Sequence, residues 1–139
     1  MYVSIVVILL VLAPGLISAQ DTVTDVEVVR VYDGDTFYVD IRGFPPIVGD
    51  DMPVRVRGID CPEIRSSCDA ERALARQARD FAEDLLLRAE RVDLIDIERG
   101  KYFRIVADVL MDGDDLALLL IDAGLAVPYE QRHDVDWCR

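Results

Sequence analysis

Val26-Glu-Val-Val-Arg-Val-Tyr-Asp-Gly-Asp-Thr-Phe-Tyr-Val-Asp-Ile41 is the stretch on which the reading of the fold turns. Two runs rich in β-branched and aromatic residues, Val26–Tyr32 and Thr36–Ile41, flank Asp33-Gly34, a strong turn signal. The pattern predicts a β-hairpin. Downstream, Arg42 to Pro53 holds Gly43, Pro45, Pro46, Gly49 and Pro53 and reads as a loop. Val54-Arg-Val-Arg-Gly-Ile59 alternates and reads as a third strand, ended by Asp60-Cys61-Pro62.

The period then changes. Ala70, Leu74, Ala78, Phe81, Leu85 and Leu86 recur at helical spacing, which predicts an amphipathic helix from Ala70 to about Ala89. Ser67 or Asp69 is placed to cap it. Arg91–Ile97 and Arg104–Met111 read as a fourth and a fifth strand. Asp115–Ala123 reads as a short buried helix closed by Gly124. Pro128 to Arg139 is polar and expected to be irregular. Three strands, a helix, two strands and a helix, too closely spaced for repeated βαβ crossovers, predict a mostly-β α+β fold. The best fit is an OB-type five-stranded barrel with two to three helices, spanning residues 26–130, with 131–139 as a tail.

The chain has 139 residues, 52 % of them apolar, so it is too hydrophobic for a disordered chain and too short for two domains or a TIM barrel. Its single histidine, His133, makes a Ser-His-Asp triad or a polyhistidine zinc site a poor explanation. Chemistry must therefore rest on carboxylates, or on a metal held by oxygen ligands. A net charge of −12 argues against binding nucleic acid over the whole surface, but leaves room for a small basic cleft. Lys101 is the sole lysine among the 15 basic residues; the rest are arginine, suited to bidentate contact with phosphate.

Residues 1–19 hold the apolar run Ile5–Ala13, broken by Pro14-Gly15, and read as a signal peptide cleaved after Ala19, or as an N-terminal anchor. Either reading places the domain outside the cytoplasm, secreted or otherwise extracytoplasmic, and membrane-tethered if the segment is uncleaved. Cys61, Cys68 and Cys138 allow three single-bridge pairings, each leaving one thiol over. A Cys68–Cys138 bridge would tie the tail to the start of the helix.

Four segments carry candidate chemistry. Asp33-Gly-Asp-Thr36 offers two hard carboxylate ligands suited to Ca²⁺, or is an ordinary acidic turn. Arg55-Val-Arg-Gly-Ile-Asp60-Cys-Pro-Glu63 puts arginine on a strand and carboxylates past its end; alternation sets Arg55 and Arg57 on one face and does not choose between them. Lys101-Tyr-Phe-Arg104 enters the fifth strand. Gly124-Leu-Ala-Val-Pro-Tyr129 reads as a helix exit.

Taken in order, Asp33-Gly-Asp-Thr36, Arg55…Asp60-x-Pro-Glu63, Lys101-Tyr-x-Arg104 and Gly-Leu-Ala resemble the thermonuclease, or staphylococcal nuclease-like, domain over about residues 26–129. The resemblance implies an OB-fold phosphodiesterase that cleaves DNA and RNA with Ca²⁺. A small cleft admits single-stranded or flexible substrate more readily than rigid duplex. The resemblance implies no stable protein partner. It implies that Asp35 and Asp60 ligate the metal by side chain and Cys61 by its backbone carbonyl, where the family commonly has threonine. Asp33 matches a supporting acidic residue. Arg55 and Arg104 match the phosphate-contacting arginines, and Glu63 the carboxylate that activates water. Lys101, Tyr102 and Tyr129 are candidates for contacting phosphate or stacking on a base. The chain departs from the family at Phe103, which stands where glycine is frequent, in its long acidic loop, in lacking a long final helix, and in being acidic where the familiar secreted member is basic. A non-catalytic OB-type binding module is the alternative; Asp35, Arg55, Asp60, Glu63 and Arg104 together favour the enzyme.

Overall fold

The computed structural model describes residues 21–139; the signal-peptide or anchor reading of residues 1–19 lies outside them. The hairpin forms as expected: β1 (Glu27–Asp33) pairs antiparallel with β2 (Thr36–Asp40), Asp33 standing opposite Thr36. The loop that follows contains a single helical turn, α1 (Pro46–Gly49), opened by Pro46, whose fixed φ suits a first helical position.

The third strand is shorter and earlier than the sequence suggests. β3 runs Met52–Val56, and Gly58, at φ +76°, then turns the chain before a two-residue β4 (Ile59–Asp60). Pro53 is tolerated because its neighbour β6 pairs only with Val54–Val56, so no parallel-ladder donor is needed there. α2 (Asp69–Arg88) follows, then β5 (Val92–Arg99), β6 (Ile105–Met111), a two-residue β7 (Asp114–Asp115), α3 (Leu116–Asp122) and β8 (Val127–Pro128).

The five long strands lie in the order β1-β2-β3-β6-β5, with β3 and β6 parallel and the other pairs antiparallel. The backbone leading into β1 bonds to β5: Val23 N–H donates to the Leu94 carbonyl at 2.9 Å, Leu94 N–H to that of Val23 at 2.8 Å, and Val26 N–H to that of Val92 at 3.0 Å. These bonds join the two ends of the strand path, giving a curled, OB-like α+β architecture. Phe37, Val39, Val54, Val56, Leu94 and Val109 fill its interior, the inward positions of alternating strands.

Two further corrections concern α2. Its cap is Cys68 rather than Ser67 or Asp69: the sulfur accepts from the Glu71 N–H at 3.4 Å. Its buried stripe is Ala75, Ala78, Ala82 and Leu86, rotated from the one read in sequence, and Ala70 is exposed. The larger apolar side chains drew that reading, but the buried face is alanine because the helix approaches β1 closely. A Cβ on Gly34 would lie 2.8 Å from the Ala78 Cβ and 2.8 Å from the Cys61 sulfur. Glycine is thus required at the hairpin turn by space.

The C-terminal segment is more ordered than expected. β8 pairs with β4, Val127 opposite Asp60, and Leu125 and Ala126 are buried. Tyr129–Gln131 form one 3₁₀ turn, and Cys138 is bonded to Cys68 with Cα atoms 6.0 Å apart, leaving Cys61 as the buried free thiol. Among the described residues no helix is long and apolar enough to cross a membrane.

Candidate active site

Three elements bring the acidic residues together. Asp35 sits in the β1–β2 turn, where the Asp33 carboxylate accepts its N–H at 3.2 Å, a local bond typical of aspartate in turns. Arg55 lies on β3 directly opposite Thr36, and the Val56 N–H donates to the Asp35 carbonyl at 2.9 Å, so sheet register sets Arg55 beside the turn. The Gly58 turn and the β4–β8 pair then carry Asp60, Cys61 and Glu63 back to the same place. Asp33, Asp35, Arg55, Asp60, Cys61 and Glu63 line one cleft of about 230 Å³.

Asp35 is the one buried charged side chain among the described residues, 2 % exposed, and it is well supplied with donors. Its Oδ1 is ion-paired with Arg55 Nη1 and accepts the Thr36 hydroxyl at 3.0 Å; its Oδ2 accepts the Cys61 N–H at 3.0 Å. Arg55 Nη2 also donates at 3.2 Å to Asp60 Oδ1 and at 3.2 Å to the Ile59 carbonyl. Burial works to lower the Arg55 pKa, but the charge of Asp35, then of Asp60 and Asp33, raises it above its ordinary value. Arg55 is therefore a fixed cation clamped between two carboxylates. The ambiguity between Arg55 and Arg57 resolves because β3 ends between them. Arg57 is drawn away to Glu98 at 2.6 Å, Asp108 at 3.2 Å and the Asp96 carbonyl.

Negative charge is in excess in this cleft. Asp33 is pushed up to about 7, first by burial and then by the neighbouring charge of Asp35. Burial, with Asp35 as the second cause, also pushes the Cys61 thiol up, so it stays neutral and is no thiolate ligand. The donor set fits a hard divalent cation. A carboxylate has about four acceptor directions, and Asp35 uses three of them. Asp60 Oδ2 accepts no hydrogen bond among the described residues. Asp35, Asp60 and the Cys61 backbone would hold Ca²⁺ by oxygen alone. Among the described residues, Cys68, Glu71 and Cys138 also bring metal-binding residue types together, and that grouping is accounted for by the disulfide.

Arg104 stands in the cleft that adjoins this one. It follows a tight turn, Lys101–Phe103, in which Tyr102 and Phe103 both hold left-handed backbone, at φ 59° and 58°. Ile105, next in the chain, pairs with Val54 and so brings Arg104 alongside β3. Its Nε is buried with no hydrogen-bond partner among the described residues. Arg104 lines a second cleft, of about 330 Å³, that shares Tyr32, Asp33 and Arg55 with the first. Five of the predicted residues thus meet in the acidic cleft or, through Arg55, at its border with the second: Asp35, Arg55, Asp60, Cys61 and Glu63. Arg104 and Tyr102 line the neighbouring one.

Lys101 is exposed and lines neither cleft. Tyr129 lines neither as well; its N–H donates to the Gly58 carbonyl at 2.9 Å, and Arg132 lies over its ring at 3.9 Å. Its backbone braces the β3–β4 turn while the ring is taken up locally. Sequence reasoning missed Thr36 as a donor to Asp35, and it missed Glu71, whose Oε1 accepts the Glu63 N–H at 3.0 Å. Thr36 was visible within the Asp-Gly-Asp-Thr motif; Glu71 gave no signal beyond a helix first turn.

The family model for staphylococcal nuclease homologues matches residues 53–137, more than half of the chain. The match takes in Arg55, Asp60, Cys61, Glu63 and Arg104, and Asp35 joins them from the hairpin upstream. No curated protein matches the chain.

Proposed function

The chain belongs to the family of staphylococcal nuclease homologues, and from that premise we propose that it is an exported, Ca²⁺-dependent nuclease hydrolysing phosphodiester bonds of DNA and RNA. The observation that carries this reading is the meeting of Asp35, Asp60 and Glu63 with Arg55 in one cleft, and of Arg55 with Arg104 in the cleft that adjoins it.

A phosphodiester needs its charge neutralised, a water positioned and an exit for the leaving oxygen. Arg55, clamped by Asp35 and Asp60, is a preorganised cation in the acidic cleft. Arg104 forms no ion pair among the described residues and is free to take the phosphate. Two such donors stabilise the extra charge of the five-coordinate transition state, and removing one of this kind typically costs roughly 100-fold or more in rate. Asp35, Asp60 and the Cys61 carbonyl would hold Ca²⁺, which would supply Lewis-acid chemistry at the phosphate. Glu63 is exposed at the cleft wall, with its backbone fixed by Glu71, and takes the proton of the attacking water as general base. A small cleft between strands admits splayed single strands more readily than a rigid duplex. The Cys68–Cys138 disulfide supports an oxidising, extracytoplasmic location.

Degradation of single-stranded DNA by the purified chain, with Ca²⁺ or with excess chelator, tests the proposal. Cleavage confined to the Ca²⁺ reaction is expected. Folded, Ca²⁺-binding protein that leaves DNA intact would replace the enzyme with a nucleic-acid-binding module.

A further inference from the structure

Glu63, the general base of that reading, is supported differently from the rest of the site. Strand register sets Arg55 beside Asp35, and the β4–β8 pair sets Asp60. Glu63 lies beyond β4, exposed, on the loop that leads to α2. Connecting loops are ordinarily the mobile parts of a fold. This one is braced against the start of α2. Glu71 Oε1 accepts the Glu63 N–H at 3.0 Å, the Ser66 N–H donates to the Glu63 carbonyl at 3.1 Å, and Arg72 Nη1 donates to the Ser66 carbonyl at 2.7 Å.

The aim of Glu71 is unusual for its position. Three residues after the cap of a helix, a glutamate ordinarily reaches back to the N–H of the cap itself. Here the Cys68 N–H is taken by the Ser66 hydroxyl at 3.3 Å, and Glu71 reaches past it to Glu63. Glu71 is in turn held between the two sulfurs of the disulfide. The Cys68 sulfur accepts its N–H at 3.4 Å. The Cys138 sulfur, which carries no hydrogen while bridged, lies 3.9 Å from its Oε2.

We propose that Glu71 is the positioning residue for Glu63 and that the Cys68–Cys138 bridge sets it, so that the chain becomes a competent nuclease only once the bridge has formed. The inference rests on the nuclease reading and adds its regulation. Opening the bridge takes two electrons and two protons: the S–S bond breaks, a dithiol is oxidised to its disulfide, and two cysteine thiols remain. The tail is then released from α2. The new S–H groups can donate to the Glu71 carboxylate and compete there with the Glu63 N–H. Cytosolic thiols stay reduced and exported ones oxidise, so the chain is inactive before export and active after it.

The test compares the full chain, oxidised and reduced by dithiothreitol, with Glu71→Ala and Glu71→Gln in their bridged forms. Cleavage of single-stranded DNA in Ca²⁺ gives kcat and KM; amide hydrogen exchange at Glu63 reads the bracing without cleavage; circular dichroism reads the fold. Glu71→Ala is expected to lower kcat roughly 10- to 100-fold, the scale of a misplaced catalytic group, with KM unchanged and exchange at Glu63 faster. Glu71→Gln keeps an oxygen that accepts the N–H, and restores both. The reduced chain behaves as Glu71→Ala does while folded, and reducing Glu71→Ala adds little, because the bridge acts through that residue. Full kcat or unchanged Glu63 exchange in Glu71→Ala overturns the positioning role. A reduced chain that cleaves at the full rate, or that unfolds, overturns the switch. If the unaltered oxidised chain leaves DNA intact, the nuclease reading fails, and exchange at Glu63 still decides the bracing.

Discussion

The acidic cleft and the cleft that adjoins it are built by opposite means. In the acidic cleft a buried carboxylate, Asp35, is satisfied by an arginine, a hydroxyl and a backbone N–H, and its partners are fixed by strand register. In the second cleft Arg104 keeps a buried Nε without a partner among the described residues, and Tyr102 stands almost wholly in solvent on left-handed backbone. The first arrangement contributes to folding as well as to chemistry. The second contributes little to folding, and its groups make sense as contacts to something outside the chain. Substitutions in the two clefts should therefore separate stability from activity.

The largest effect is expected for Arg55→Ala. It leaves Asp35 buried and uncompensated, which typically costs about 3–5 kcal/mol, so urea unfolding should shift strongly and activity should vanish with it. If Arg55→Ala kept its unfolding midpoint, the clamp would not be structural. Opening the Cys68–Cys138 bridge, by Cys138→Ser, is next. The bridge spans a sequence separation of 70, for which chain entropy gives a loss of about 4 kcal/mol; unfolding of oxidised and variant protein measures it. It also loosens the start of α2, where Glu71 holds the Glu63 backbone.

Arg104→Ala belongs to the opposite class. Activity is expected to fall roughly 100-fold, and stability by less than about 1 kcal/mol. The smallest effect is Gly34→Ala. Its methyl group meets Ala78 and Cys61 at 2.8 Å, and overpacking of this kind costs about 1–3 kcal/mol. Thermal unfolding reads that loss, and a partial fall in activity should follow as the Asp33–Asp35 turn shifts.

Much of this division was legible in the sequence, because the long elements carry strong periodic signals. The hairpin, both principal helices and the fourth and fifth strands lie close to where alternation and helical spacing put them. The short elements gave no such signal. β4 and β8 are two residues each, and their pairing is a long-range event that places Asp60 by means of Val127, a residue whose local sequence reads as a helix exit. The alanine face of α2 escaped notice since hydrophobicity favours leucine and phenylalanine, whereas close approach favours the smallest side chain. The acidic and arginine residues were found through their resemblance to a family motif. Glu71 belongs to no motif, and in sequence it is an ordinary first-turn residue; only the structure sets it against the Glu63 N–H.

The most direct test of the whole account pairs two readings on one protein, Arg104→Ala: cleavage of single-stranded DNA in Ca²⁺ and the urea unfolding midpoint, each beside the unaltered chain. The account requires an unfolding midpoint close to that of the unaltered chain and a rate down roughly 100-fold. A variant that folds equally well and cleaves at the full rate would contradict it, since the second cleft would then have no part in the reaction.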